Sequence, residues 1–473
     1  MNAFIQNKKP LSLITLAILG ALLSGCSGDA ETIIIEREPI VEDDHDDGHD
    51  HSGEPGGGGD ITIESLGRIA VLSSEASALA IMDIDDGAML DEFSLSDSSA
   101  ALYASPDNRY AVISMRSMDT TDFIDGGLWR EDHTDHLHDY KQAPQMSDFS
   151  VNGSRPTHIG TYDGQMTIFY DGDAEAGVPA GVKVLTDENI AAESDTLPTL
   201  EFTMNMHGVA KSRGDILVST VRREDSESTS NAKILPDQVG IYHWHDGEYQ
   251  LEQVLATPCP DLHGAAENED YIAFGCGDSV LVTHQHDDEF ESVKIDNIAE
   301  IDGLRVGTIY GHENSALFFG IASSRATDER AMVSINPENN TMKIVEWRSE
   351  AGADPVAYSF SGDGDTFVIL DNLGFVAKYV LHEHNGELEF EFESAIGVSN
   401  EDISAMPEGH NFSMTMSQND EHLYIADPIA QHILQIDLTE MSIEDDIELD
   451  IIPSRLVWLG IAKTSDHNSD DHD

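Results

Sequence analysis

A turn followed by an apolar strand recurs along this chain, and that recurrence limits its fold more than any other feature. Ser105-Pro-Asp-Asn-Arg-Tyr-Ala-Val-Ile113 is the clearest copy. The shape returns at Gly214-Asp-Ile-Leu-Val-Ser-Thr220, Glu269-Asp-Tyr-Ile-Ala-Phe274, Asn314-Ser-Ala-Leu-Phe-Phe319, Gly364-Asp-Thr-Phe-Val-Ile-Leu370 and Glu421-His-Leu-Tyr-Ile-Ala426. Gln165-Met-Thr-Ile-Phe-Tyr170 and Gly67-Arg-Ile-Ala-Val-Leu72 fit more loosely. The strand beginnings, near 68, 110, 166, 215, 270, 315, 365 and 421, are 42 to 56 residues apart. Between them, strand-like alternation and Gly/Asp/Asn turns are common and helical periodicity is scarce. A period of this size in an all-β chain indicates a single β-propeller with one four-stranded sheet per repeat. The count is eight blades, or seven if the two loose copies belong together. Leu456-Val-Trp-Leu-Gly-Ile-Ala462 is a strand with no partners after it, so it is expected to close the ring against the N-terminal strands.

Composition limits the partners. The 473 residues include 90 acidic and 24 basic side chains, a formal charge of -66. Such a surface repels a phosphate backbone, which excludes nucleic acid as an ordinary ligand. Residues 1–25 read as a signal segment, with Lys8 and Lys9 preceding an apolar run from Leu11 to Leu23, and Leu23-Ser-Gly-Cys26 has the form of a bacterial lipobox. Lipidation at Cys26 would anchor the chain in the periplasm, and Ser27 in the next position points to the outer membrane. The lipid is the only membrane contact expected, and the protein is expected to be a monomer. Residues 26–60 read as a disordered His/Asp-rich tether ending in Gly56 to Gly59. The propeller is expected over 61–463, with an acidic tail over 464–473. His45, His49 and His51 in the tether read as a metal-binding tract, repeated weakly by His467 and His472.

The remaining histidines fall into a pattern. Glu131-Asp-His-Thr-Asp-His-Leu-His138 holds His133, His136 and His138 among Asp132, Asp135 and Asp139. Dense nitrogen donors with carboxylates in reach suit a borderline-soft divalent ion, zinc first. His158, His207 and His263 each fall a few residues before the recurring turn, at the start of a blade's innermost strand. They are therefore expected to converge on one mouth of the central channel, with His410 placed similarly in the last blade. The expected tight site is His133, His136 and His138 assisted by His207 and His263, the 131–138 loop emerging beside that mouth or folding across it. Cys259 and Cys276 bracket His263. In an exported protein a disulfide is the default, and a Cys/His metal site is the alternative.

Pro258-Cys-Pro-Asp-Leu-His-Gly264 with Phe274-Gly-Cys-Gly-Asp278, the Asp125-Gly-Gly-Leu-Trp-Arg-Glu-Asp-His-Thr-Asp-His-Leu-His-Asp-Tyr140 loop and the His/Asp-rich N-terminal tract together resemble AztD-type periplasmic zinc metallochaperones. The resemblance covers residues 60 to 462, and the paired cysteine motifs are its most specific part. It implies a propeller that holds zinc in an enclosed histidine site and passes it to the solute-binding protein of a zinc ABC importer, with the tail as an accessory site. The lipobox departs from that family, whose members are typically soluble. Two other classes compete. One is a propeller enzyme, a metal-dependent hydrolase or lactonase-like protein built on Asp and Glu at the channel mouth; the other is a surface interaction module whose histidines are incidental. The chain has no C-x-x-C-H haem attachment and no Gly-x-Ser-x-Gly elbow.

Overall fold

In the computed structural model the described residues are 61–463 apart from 134–135, 225–233, 287–288, 325, 328 and 348–351. Cys26, His45, His49, His51, His467 and His472 lie outside them, as does Asp135. Eight four-stranded antiparallel sheets make up the ring, and one two-stranded hairpin is inserted in it. The expected eight-bladed propeller is what the chain forms.

Each recurring apolar run is the second strand of its blade, counting outward from the channel. Arg68–Ser73, Tyr110–Met115 and Thr366–Asp371 are buried at every position. A second strand lies between its own first and third strands and has a neighbouring blade against each face. Both faces are therefore dry, and the sequence reads as a continuous apolar run instead of alternating. Val306, Phe318 and Val333 of one blade pack on Ala273, Val280 and Val282 of the preceding blade in one such inter-blade core. Each large side chain buried in this way contributes roughly 1.5–3 kcal/mol. Outermost strands face water: Glu248–Val254 is exposed or half-exposed throughout.

The ring closes as expected. Arg455–Leu459 is the innermost strand of the blade that otherwise comprises Arg68–Ser73, Ala78–Asp83 and Met89–Ser94. Its register pairs Ile69 with Trp458 and Val71 with Leu456. The Trp458 ring is almost fully buried, and its Nε1–H donates to the Leu66 carbonyl at 2.9 Å. Gly67 (φ +105°) lies directly beneath it; a Cβ there would stand 2.5 Å from Trp458 Nε1. Only glycine combines that backbone angle with that approach.

Antiparallel alternation gives the propeller two distinct faces. Every innermost strand starts at what we call the upper face and ends at the lower, so first-to-second and third-to-fourth turns all lie on the lower face. The hairpin of Leu128–Asp132 and Leu137–Lys141 joins a third strand, Thr120–Asp125, to a fourth, Gln145–Asn152. It therefore belongs to the lower face.

Closure makes a testable prediction. Trp458→Ala should cost about 3–5 kcal/mol, the range for deleting a large buried aromatic, with Nε1 hydrogen bonding to Leu66 also lost. Urea unfolding should show the loss as a lowered midpoint, whereas a change below about 1 kcal/mol would mean that closure does not depend on this side chain.

Candidate metal centre

Three imidazoles converge at the upper face from three consecutive blades. His158 lies in the innermost strand Pro156–Tyr162, His207 just before Ala210–Arg213, and His263 opens His263–Glu267. Each offers one ring nitrogen, and the three atoms lie within 4.8 Å of one another. His158 Nε2 and His207 Nε2 are 3.2 Å apart. Two nitrogens bound tetrahedrally to one zinc at about 2.05 Å each would stand about 3.3 Å apart, so this pair is already at ligand spacing.

The backbone aims the rings by local irregularities. The register slips between Pro156 and His158 and again between His263 and Ala265. A bulge of this kind turns a side chain off the regular pleat. At the second bulge Gly264 takes φ +63°, and a Cβ there would meet the Gly307 carbonyl oxygen at 2.6 Å. That close approach is what lets His263 Nδ1–H donate to the same carbonyl at 2.7 Å. The Cys259–Cys276 disulfide joins the segment before His263 to the end of the strand paired with it, and both sulfurs are buried. The bridge therefore staples the backbone on both sides of His263, and the Cys/His alternative is set aside.

Second partners orient the rings. His207 Nδ1 lies 3.2 Å from both oxygens of Asp171, which is buried at the end of Gln165–Tyr170. A carboxylate only accepts, so Nδ1 carries the proton and Nε2 faces the cluster as a lone pair. Asp171 is fixed in turn by Arg116 Nη2 at 2.8 Å. Burial alone would raise the Asp171 pKa, but the His207 and Arg116 hydrogen bonds outweigh it and hold the carboxyl below its ordinary value. His263 is set the same way by Gly307, which places its lone pair on Nε2. With two Nε2 lone pairs presented, His158 Nε2–H donates to His207. This outer-partner pattern is the one that metal-binding histidines use.

His158 is kept uncharged. Burial chiefly, then the neighbouring His207 and His263 rings, push its pKa down to about 4, with Lys211 adding to the effect and Asp171 opposing it. A cavity of about 170 Å³ separates the triad from Lys211, which is ion-paired to buried Glu267 at 3.2 Å. Beyond Lys211 the channel widens into a vestibule of about 1100 Å³ toward the lower face, lined by Asp163, Glu313, Asp363, Asp420 and Glu421.

The 131–138 loop is elsewhere, which corrects the expectation. His133, His136 and His138 do gather, with ring centroids 4.5 to 5.3 Å apart, at the tip of the lower-face hairpin. Arg130 clamps Asp139 through two hydrogen bonds at 2.6 and 3.0 Å, and Ile61 pairs alongside His138. The loop neither emerges beside the His158 mouth nor crosses it, because a third-to-fourth connection must turn at the opposite end of the blade. His207 and His263 meet His158 instead of that cluster. His410 precedes Ser413–Met416 at the upper face, with Nδ1 3.2 Å from the Glu408 carbonyl. Sequence reasoning missed Asp171, Arg116 and Gly307 altogether. Only Asp171 carried a signal, as an acidic residue ending an otherwise apolar strand.

No family model matches the chain. A curated relative, the zinc chaperone AztD of Citrobacter koseri, is 21% identical over 436 residues, covering 86% of this chain and 90% of its own. Two solved structures of the C. koseri protein, one of them described as apo, superpose with TM-scores of 0.67 and 0.66 at 16% and 17% identity. Each covers 84% of this chain and 99% of its own. The chain is therefore similar in sequence to zinc chaperone AztD over most of its length and shares its fold.

Proposed function

We propose that this protein is a periplasmic zinc metallochaperone that carries its cargo ion on His158, His207 and His263. The observation that carries the reading is the convergence of three ring nitrogens within 4.8 Å, two of them already preset as lone pairs by outer hydrogen bonds. Three neutral imidazoles leave the fourth zinc position open, as an ion that must leave again requires. The similarity to zinc chaperone AztD supports the choice of metal and of role. The receiver is the solute-binding protein of a zinc ABC importer, which takes the ion by ligand exchange at the open position. Lys211 places positive charge near the triad and so opposes a bound cation, favouring release over permanent storage. Chemistry at the site is binding and transfer without turnover. Cys26 anchors the chain by its lipid. His45, His49 and His51 collect ions on the tether, and His133, His136 and His138 do so on the hairpin beside Ile61, where the tether joins the propeller.

Competition titration tests the assignment. The His158→Ala/His207→Ala/His263→Ala protein should lose tight zinc binding, and His136→Ala/His138→Ala should keep it. Zinc from the wild-type protein should reach the acceptor faster than it reaches an inert chelator. Equal rates would make the protein a store, and tight binding in the triple variant would move the site elsewhere.

Asp171→Asn should weaken zinc by about 10- to 100-fold, as loss of a ligand's orienting carboxylate does, while leaving the fold intact by circular dichroism. Unchanged affinity would mean that Asp171 does not orient His207.

The pH dependence of the metal-free protein follows from His158. Its pKa is 6.5 unfolded and about 4 folded. Above pH 6.5 the ring is neutral in both states. As pH falls from 6.5 toward 4 the unfolded chain takes up the proton first, so folding stability declines across that window. His158→Gln should flatten the decline in melting temperature between pH 7 and 5, and an identical slope would reject the buried neutral ring.

A further inference from the structure

Three blades end their third strand on one sequence. His243-Trp-His245-Asp-Gly-Glu248, His284-Gln-His286-Asp-Asp-Glu289 and His382-Glu-His384-Asn-Gly-Glu387 all read His-x-His-x-x-Glu. In each, the register sets the second histidine directly opposite the glutamate: His245 with Glu248, His286 with Glu289, and His384 with Glu387. All three are third-to-fourth hairpins and so stand on the lower face, away from the triad. Asp246 and Gly247 take φ of 53° and 89°, and Asn385 and Gly386 take 56° and 84°. Two successive positive φ angles make the tight turn that suits twisted antiparallel strands. Residues two apart on a strand point the same way, so each motif sets two imidazoles side by side. Their centroids are 4.2 Å apart for His243 and His245, 3.9 Å for His284 and His286, and 6.1 Å for His382 and His384.

The first hairpin goes further. Ile241 pairs with Gln253 and Tyr242 with Leu251, so a bulge leaves Glu252 without an opposite residue. Its Oε1 lies 3.3 Å from His245 Nε2 and 3.8 Å from His243 Nδ1. The three side chains each bring one donor atom within 4.8 Å of the others. Trp244, against Tyr249 at 4.9 Å, holds the hairpin from its other side. An exposed ion pair of one protonated histidine with Glu252 would be worth little, and two adjacent charged imidazoles would repel. Two neutral imidazoles and a carboxylate are instead a donor set for zinc and similar divalent ions.

We propose that His243, His245 and Glu252 form a solvent-exposed binding site for a divalent first-row cation, zinc by its donors, and that the other two hairpins are weaker versions of it. The site does not depend on the role assigned to the triad. It lies at a blade edge in an exposed hairpin, so it exchanges ions readily and gathers them on the face that carries the 131–138 hairpin.

Site-resolved labelling of histidines with diethylpyrocarbonate, read by mass spectrometry on the full chain, tests this with zinc itself as the probe. With free zinc at ten times the dissociation constant, His243 and His245 should be labelled about tenfold more slowly, by mass action. Glu252→Gln should abolish that protection while protection of His158, His207 and His263 stays as it was. The His158→Ala/His207→Ala/His263→Ala protein should keep it, which separates this site from the triad. Equal labelling with and without zinc, protection unaltered by Glu252→Gln, loss of protection in the triple variant, or equal protection by magnesium would each overturn the proposal.

Discussion

The pairing of Arg455–Leu459 with Arg68–Ser73 joins the two ends of the propeller, and the geometry of the channel depends on it. An open arc of blades could splay, and the innermost strands would then diverge. Closed, the ring fixes the spacing of all eight innermost strands at once, so residues 158, 207 and 263, some fifty residues apart in sequence, meet at one point. The histidine triad is a property of the ring before it is a property of any blade. Individual blades add the local adjustments: bulges at His158 and His263, and a disulfide beside the latter.

The two faces have different chemistry as a result. The upper mouth holds a small set of oriented, half-buried imidazoles with hydrogen-bonded outer partners. The lower face carries an acidic vestibule, the 131–138 hairpin and the three His-x-His-x-x-Glu turns. Lys211, ion-paired to Glu267, stands between them in the channel wall. On the proposed reading, a cation would be attracted broadly on one side and held specifically on the other.

Much of this was legible in the sequence. Second strands are dry on both faces, so they read as apolar runs and reveal both blade number and period; the closing strand around Trp458 was legible for the same reason. His158, His207 and His263 were found because they occupy equivalent places before those runs. The 131–138 loop misled, because density of histidine in sequence says nothing about which face a connection turns on; strand parity decides that. Asp171 and Gly307 were hidden, since their role comes from contacts between blades that no local spacing records. The threefold His-x-His-x-x-Glu repeat was visible throughout, but it lies in the third-to-fourth turns, outside the second-strand motif used to align the blades.

The hydrogen bond between His158 and His207 has a consequence for how fast the triad works. In the metal-free protein a single proton sits between two nitrogens at 3.2 Å, where an ion would otherwise hold them. It acts as a placeholder, keeping the rings near the separation that two tetrahedral zinc ligands would have. When an ion arrives, that proton can move to His158 Nδ1 while the ring stays neutral. On the proposed zinc reading, loading would need a tautomer change and a small inward shift of His263, with almost no reorganisation of the backbone. The same would hold in reverse, so on the proposed zinc reading capture and surrender would be limited by access to the mouth and not by refolding of the site.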